Sequence, residues 1–178
     1  MKISVLGYSG SGKSTLAAAL GQRYGVPVLH LDRVQFDPGW VERPLAAKQA
    51  DTGRFLDENA AWVIDGNYTK LHFARRMEEA DRIVVLAFGR WTCLVRVVRR
   101  WLRWRGRTRA SAAAGCPEKI DAEFIRWVLH DGRTRESASW YSDACRRWPG
   151  KVTVLRNQRE LDRYYKTEGL PSSPSSLS

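Results

Sequence analysis

The stretch GYSGSGKS, from Gly7 to Ser14, sets glycines, a lysine and a hydroxyl side chain at a spacing that suits phosphate binding. It matches the pattern G-x-x-x-x-G-K-[ST], in which backbone N–H groups converge on phosphate oxygens that bulkier side chains would exclude. Lys13 is expected to reach the β- and γ-phosphates of a nucleoside triphosphate, and the Ser14 hydroxyl to coordinate Mg²⁺. The residues expected to hold the donor phosphates are Gly7, Ser9, Gly10, Ser11, Gly12, Lys13, Ser14 and Thr15.

Two carboxylates follow later apolar runs. Asp65 ends the run WVID and is a candidate Mg²⁺ ligand, although a turn residue before Gly66 would give the same pattern. Asp32 ends the run VLHLD, where an acid can accept the proton of a hydroxyl acceptor. A phosphate acceptor would instead need arginines, and Arg33 and Arg43 follow closely in the sequence. The residues alone therefore leave both kinds of acceptor open.

The segment GRWTCLVRVVRRWLRWRGRTR is the most basic stretch of the chain. Helical spacing predicts an arginine face made of Arg96, Arg99, Arg100 and Arg103. The same spacing predicts an apolar face made of Leu94, Val97, Val98, Trp101 and Leu102. Guanidinium groups stabilise charge on a transferring phosphoryl group, so a phosphate-clamping lid is expected. The candidate catalytic residues are Lys13, Asp32, Arg90 and Arg100.

The arginine segment has two other interpretations. It could be a nucleic-acid surface on which Trp101 and Trp104 stack against bases, or a solvated basic face without a specific ligand. Elsewhere, His30 is expected to be a packed strand histidine. Trp40 and Tyr68 lie in loops where either could stack on the base of an acceptor.

These groups need a scaffold that brings them together, and the hydrophobic pattern predicts one. Short apolar runs alternate with helical segments, which predicts an α/β fold with a parallel sheet covered on both faces. The predicted strands are KISVLG, VPVLHLD, AWVID, RIVVLAF and KVTVL. Parallel strands present their functional loops at one edge of a sheet. The residues expected at that edge are Gly7, Asp32, Asp65 and Arg90.

Composition indicates a globular, strongly basic protein. Of the 178 residues, 43% are hydrophobic, and the formal net charge of +11 favours anionic partners such as nucleotides or nucleic acid. The three cysteines are isolated, so no disulfide framework is expected. No signal-peptide pattern or long apolar run is present, so a cytoplasmic protein without a membrane partner is expected. Residues 1–168 are expected to form one domain, and the Ser- and Pro-rich residues 169–178 a disordered tail.

Several stretches, in order, resemble the adenylate-kinase-related proteins often labelled DNA topology modulation proteins. They are GYSGSGKST, VLHLD, PGWVER, WVIDGNY, ADRIVVL, CLVRVVRR, RGRTR and GCPEKID, and the likeness spans nearly all of residues 2–156. The resemblance implies a P-loop fold like that of nucleoside monophosphate kinases, a three-layer sandwich with a parallel sheet of about five strands. It also implies an arginine-rich lid at residues 104–120 and ATP as the donor to a nucleotide or similar small acceptor.

The same resemblance implies roles for particular arginines. Arg96 is expected against the donor base and Arg100 near the donor phosphates, with Arg133 and Arg135 of DGRTRE completing the clamp. Relatives carry an acid and a proline after the fourth strand, where this chain has LAFGR. The alternative to a kinase is a nucleic-acid-binding protein whose ATP site is regulatory or vestigial.

Overall fold

The strands of the protein are short and, in the centre of the molecule, buried on both faces. The computed structural model describes residues 1–109 and 111–171, and within the helix at 135–147 it describes the side chains of residue 139 and residues 141–147. The strands are β1 (Lys2–Gly7), β2 (Val28–His30), β3 (Phe36–Asp37), β4 (Val41–Glu42), β5 (Trp62–Asp65), β6 (Arg82–Leu86) and β7 (Val152–Leu155). Five of them form a sheet in the order β2-β5-β1-β6-β7, and β3 pairs with β4 in a separate hairpin.

All strand pairs of the five-stranded sheet are parallel, as the alternation of strands and helices predicts. The helices are α1 (Lys13–Tyr24), α2 (Leu31–Gln35), α3 (Leu45–Glu58), α4 (Phe73–Glu79), α5 (Arg90–Trp104), α6 (Ala122–Leu129), α7 (Arg135–Arg147) and α8 (Gln158–Thr167). A 3₁₀ turn at Asp131–Arg133 separates α6 from α7. Among the described residues, no helix is both long and apolar enough to cross a bilayer.

The sheet separates two hydrophobic cores, because alternate residues of each strand point to opposite faces. On one face, Val5 and Val84 pack with residues of α1, α5 and α8. On the other, Leu6 and Ile83 pack with residues of α3 and α4. The predicted three-layer α/β fold is therefore confirmed. Of the predicted tail, residues 169–171 are described and Leu170 is buried in the first core; residues 172–178 lie outside the described residues.

Strand register places the ends of the central strands side by side. Val5 and His30 both pair with Asp65, and Gly7 pairs with Leu86. The loops that follow β1, β2, β5 and β6 therefore leave the same edge of the sheet. This is the common edge that the sequence predicts.

One predicted boundary is wrong in a way that matters for function. The second strand was expected to run to Asp32, but β2 ends at His30 and Asp32 lies in the first turn of α2. The reason is packing. Leu31 is fully buried and lies against Gly66, where an added Cβ would be only 2.8 Å from the Leu31 Cβ. The chain turns into a helix there. This places Asp32 in the wall of a cavity of about 990 Å³ that Lys13 and Ser14 also line, called the central cavity below.

Candidate functional site

The loop at residues 7–14, called the glycine loop below, joins β1 to α1 and has a backbone that only glycine tolerates easily. Gly10 has φ +79° and Gly12 φ +94°, in the left-handed region that penalises side chains. A Cβ on Gly10 would lie 2.6 Å from the carbonyl oxygen of Cys93 in α5. No side chain caps the N-terminus of α1, and its first turn contains no acid. Its free N–H groups and positive dipole end therefore suit an anion.

Asn67 fixes the start of the glycine loop. The backbone N–H of Gly7 donates to Asn67 Oδ1 at 3.1 Å, and Asn67 Nδ2 donates to the Gly7 carbonyl at 2.8 Å. Asn67 Nδ2 also donates to the Tyr141 hydroxyl at 3.1 Å. The amide thus satisfies both backbone groups of the first loop residue. Sequence reasoning missed Asn67, although a polar residue just after β5 was a usable signal.

Asp65 lies beside the glycine loop with its carboxylate buried. Its Oδ2 is 2.8 Å from His30 Nδ1, while its buried Oδ1 has no hydrogen-bond partner among the described residues. Burial raises the pKa of Asp65, but the hydrogen bond to His30, the charge of Lys13 and the Ser14 hydroxyl outweigh it. The pKa therefore lies below its ordinary value, and the carboxylate is ionised at neutral pH.

This corner fits Mg²⁺. The ion takes oxygen ligands and commonly binds one or two carboxylates together with substrate phosphates and water. Asp65 offers a partnerless carboxylate oxygen next to the Ser14 hydroxyl. His30, which was expected only to pack, is buried and orients that carboxylate. Within the described part of the chain, no group of three or more His, Cys, Asp or Glu side chains is placed to hold a metal.

The predicted apolar face of α5 is wrong at two of its five positions; Val97 is buried in the core, and Leu94 and Trp101 are half-buried. Arg96 and Arg100 turn toward the interior, whereas Val98 is 37% exposed and Leu102 is 63% exposed. The cause is that the glycine loop beside α5 presents a backbone carbonyl oxygen, which accepts a hydrogen bond from a guanidinium group and has no such interaction with an alkyl side chain. Arg96 Nη1 donates to the carbonyl oxygen of Ser11 at 2.5 Å.

Arg96 is packed between the glycine loop and α8. Its guanidinium lies 4.3 Å from the centre of the Phe88 ring and also hydrogen-bonds Gln158. Burial lowers the pKa of Arg96 below its ordinary value. Arg96 therefore holds the main chain of the loop through Ser11.

Arg100 and Arg109 share one buried carboxylate. Arg100 Nε donates to Glu118 Oε2 at 2.9 Å, and Arg109 Nε donates to Glu118 Oε1 at 2.7 Å. Burial, and then the charge of Arg109, lower the pKa of Arg100 below its ordinary value. All three side chains line the central cavity. Sequence reasoning did not single out Glu118, the acid in the CPEK stretch.

Other predicted residues lie away from this cavity. Arg90 is exposed at the first residue of α5 and is not among the cavity-lining residues. Thr15 is likewise exposed. Arg133 donates to the carbonyls of Phe88 and Val128. Its guanidinium also lies 3.9 Å from the centre of the Tyr8 ring, so it contacts the glycine loop through Tyr8. The side chain of Arg135 lies outside what the structure describes.

A cavity of about 990 Å³ joins the glycine loop to the far side of the site. Lys13, Ser14 and Asp32 all line it. Tyr68 donates its hydroxyl to Asp32 Oδ1 at 2.8 Å. Burial and then the charge of Asp32 raise the pKa of Tyr68 well above its ordinary value, so the hydroxyl keeps its proton and orients the carboxylate. Tyr68 therefore positions the Asp32 carboxylate by a hydrogen bond from its hydroxyl.

The β3–β4 hairpin is bonded to the segment between α5 and α6. Gly39 N–H donates to the Gly115 carbonyl at 3.0 Å, and Trp40 Nε1 donates to the Pro117 carbonyl at 3.1 Å. Cys116 Sγ donates to the Asp37 carbonyl at 3.3 Å. The Trp40 ring meets Phe36 edge-on at 5.3 Å. These contacts join the hairpin to the α5–α6 segment, and both contribute residues to the cavity lining.

Arg76 organises the loop that carries Asn67 and Tyr68. This fully buried side chain donates to the carbonyls of Leu71, Gly66 and Tyr68 at 2.9, 3.1 and 2.8 Å. Burial lowers the pKa of Arg76 to about 9, against the opposing charge of Asp65. Residues 66–71 are not helical, since α4 starts only at Phe73. Arg76 instead holds residues 66–71 as an irregular turn.

Arg76→Ala is expected to lower the free energy of unfolding by about 3 kcal/mol or more, because three buried carbonyls lose their donor and a cavity remains. The adjacent Arg75→Ala is the control, since Arg75 pairs with Glu79 and Asp57 at the surface, and its cost should stay under about 1 kcal/mol. Urea unfolding of both variants measures the difference. Equal losses would contradict the role given to Arg76.

Comparison with known proteins finds similarity at the level of three-dimensional structure. No protein-family model matches the sequence, and no curated protein matches it. A shikimate kinase from Acinetobacter baumannii, solved in complex with shikimate, aligns with 93% of this chain and 89% of its own, at 14% identity and TM-score 0.55. A deoxyadenosine kinase from M. mycoides with bound dATP aligns with 95% of this chain and 100% of its own, at 13% identity and TM-score 0.52. The chain therefore has the α/β fold of P-loop kinases.

Proposed function

We propose that this chain is a cytosolic P-loop kinase that transfers the γ-phosphoryl group of ATP, with Mg²⁺, to a nucleotide or similar small acceptor. One observation carries the proposal: Lys13 and Ser14 line the same cavity as the Asp32 carboxylate. Phosphoryl transfer needs a donor cradle and an acceptor group within one enclosed space. The kinases of similar fold, one holding shikimate and one holding dATP, support a site for a small acceptor and a nucleotide.

The donor side of this proposal rests on the glycine loop. Its open backbone N–H groups and the start of α1 would hold the phosphates, with Lys13 reaching the transferred group. Ser14 and Asp65 would hold Mg²⁺, which when bound neutralises charge on the phosphates. Arg100 and Arg109 line the cavity as cations for charge that develops during transfer.

We also propose that residues 104–120 act as a lid, as the sequence predicts. The hydrogen bonds between this segment and the β3–β4 hairpin support a closed position over the cavity. Closure would exclude water, so that ATP is not hydrolysed without an acceptor. Membership of the adenylate-kinase-related DNA topology modulation proteins belongs to the same proposal and rests on the sequence motifs.

The test is ADP release by the purified protein with MgATP and a panel of nucleoside monophosphates, nucleosides and small hydroxyl compounds. The proposal expects at least one acceptor to raise ADP release above the rate without acceptor, and chelation of Mg²⁺ to abolish the increase. If no acceptor raises the rate, the kinase proposal fails.

The outer face of α5 favours a second candidate, a nucleic-acid-binding protein with a regulatory ATP site. Arg99 and Arg103 are exposed on this helix, and so is Trp91, which is 68% exposed at its first turn. Arginines with an accessible aromatic ring suit phosphate and base contacts. This candidate expects DNA affinity that falls steeply with salt and survives Lys13→Ala. Because Arg96 and Arg100 turn inward, fewer arginines remain for such a surface.

A further inference from the structure

We infer that the group that receives the phosphoryl is a hydroxyl and not a phosphate. This inference rests on the proposed kinase function and chooses between the two acceptor chemistries that the sequence leaves open. A phosphate acceptor needs cations that are free to bind it, and a hydroxyl acceptor needs a free carboxylate. The cavity residues assigned neither to the donor phosphates nor to the transferring phosphoryl group are called the acceptor side, and their charges decide between the two chemistries.

Arg43, one of the two arginines that the sequence offers to an acceptor phosphate, already has partners within the protein. Its Nη2 is 2.8 Å from Asp51 Oδ2, and its Nη1 donates to the Val34 carbonyl at 3.1 Å. Its Nε lies 3.6 Å from Asp37 Oδ1. One carboxylate and one carbonyl therefore accept hydrogen bonds from the guanidinium donors that would grip a phosphate, and a second carboxylate lies within ion-pair distance.

The other cations of this side are similarly placed. Lys48 is buried, and its Nζ lies 2.6 Å from Glu42 Oε1, which also accepts from Gln35. Arg33 is exposed and is not among the residues that line the cavity. Among the described lysines and arginines that line the cavity, only Lys13 and Lys70 lack an ion-pair partner.

These two lysines do not make an acceptor-phosphate site. Lys13 belongs to the donor cradle. Lys70 is exposed, and a single hydrated lysine lacks the bidentate geometry with which arginine binds phosphate. Arg100 and Arg109 share the single Glu118 carboxylate and are assigned above to the transferring phosphoryl group. Apart from them, the described part of the acceptor side therefore offers an acceptor phosphate only the exposed Lys70.

Asp32, unlike these paired cations, is a charged side chain that is free to meet an acceptor. It is half-buried, lines the cavity and forms no ion pair with any described residue. Its Oδ1 accepts the hydrogen bond from Tyr68 at 2.8 Å. A phosphate dianion beside this carboxylate would be repelled, whereas a hydroxyl would donate its proton to it.

Transfer to a hydroxyl needs no reactant other than ATP, the acceptor and the Asp32 carboxylate. The acceptor oxygen forms a bond to the γ-phosphorus, and the bond from that phosphorus to the oxygen bridging the β- and γ-phosphates breaks. Its electron pair stays on the departing ADP. The hydroxyl proton passes to Asp32 and from there to water, which leaves a phosphomonoester as product.

The experiment compares hydroxyl and phosphate acceptors on the full chain with MgATP. The hydroxyl arm contains adenosine, deoxyadenosine, cytidine, shikimate and gluconate, and the phosphate arm contains AMP, dAMP and CMP. A deproteinised cell extract supplies acceptors outside these arms. Phosphorus NMR of each product distinguishes a new phosphomonoester from a new diphosphate. The inference expects ADP release to be coupled to a phosphomonoester.

Asp32→Asn tests the carboxylate itself, because the amide keeps the shape and can still accept from Tyr68. We expect acceptor-dependent turnover to fall by about 100-fold or more, while the Kd for MgATP stays unchanged. Asp57→Asn, on the exposed side of α3, is the control and should behave as the wild type.

Each outcome decides between the proposals. A diphosphate product, or turnover that survives Asp32→Asn, overturns this inference and leaves the kinase function standing. Absence of acceptor-dependent ADP release in every arm and in the extract overturns the kinase function, and this inference with it.

Discussion

Lys13→Ala is expected to lower acceptor-dependent kcat/KM by about 1,000-fold, with the larger part of the loss in kcat. Lys13 is the first residue of α1, lines the central cavity and has no ion-pair partner among the described residues. Its charge is therefore available for the phosphoryl group, and most needed when negative charge moves toward the leaving oxygen. Steady-state ADP release at saturating acceptor measures both constants.

Lys166→Ala is the matched control for this experiment. Lys166 is exposed on α8 and is not among the cavity-lining residues, so its variant should keep wild-type rates. Circular dichroism should show both variants folded. A Lys13→Ala enzyme with an unchanged kcat would contradict the placement of the transferred phosphoryl group beside α1.

Gly10→Ala is expected to abolish ATP binding and to lower the free energy of unfolding by about 2–4 kcal/mol. A methyl group there would meet the Cys93 carbonyl at 2.6 Å and Val97 Cγ2 at 2.7 Å. It would also sit on a backbone at φ +79°. The loop must therefore move away from α5, which breaks the N–H arrangement that phosphates require.

Gly25→Ala separates the two causes. Gly25 has φ +63°, but a Cβ there would meet no atom of the described residues within 4 Å. This variant should lose about 1–2 kcal/mol from backbone strain and keep wild-type ATP affinity. Fluorescent-nucleotide binding and urea unfolding of both variants measure the contrast. If Gly10→Ala binds ATP as well as Gly25→Ala does, the close approach of the loop to α5 is not required for nucleotide binding.

The sequence predicts the fold and the common edge well, because both depend on local signals. The glycine spacing, the alternation of apolar runs with helices, and the acid at Asp65 can all be identified along the chain without knowing any distant contact. Gly7 and Asp65 therefore lie where expected, at the carboxyl ends of neighbouring strands.

The side-chain partners are less predictable, because they depend on contacts between distant segments. Periodicity placed Arg96 on one helical face with Arg99 and Arg103, but it gave no sign of the partner of Arg96, the Ser11 carbonyl 85 positions away. Glu118 and Asn67 matter through partners that lie in other loops. Asp32 was placed at a strand end because the burial of Leu31 against Gly66 has no signature in the local pattern.

The most direct test of the account is a calorimetric titration of the wild-type protein with Mg²⁺ and the β,γ-imido analogue of ATP. If the glycine loop cradles a triphosphate, the titration will show saturable heat at one site per chain, and the heat will disappear in Gly10→Ala. No heat from the wild-type protein, or equal binding by Gly10→Ala, would contradict the account.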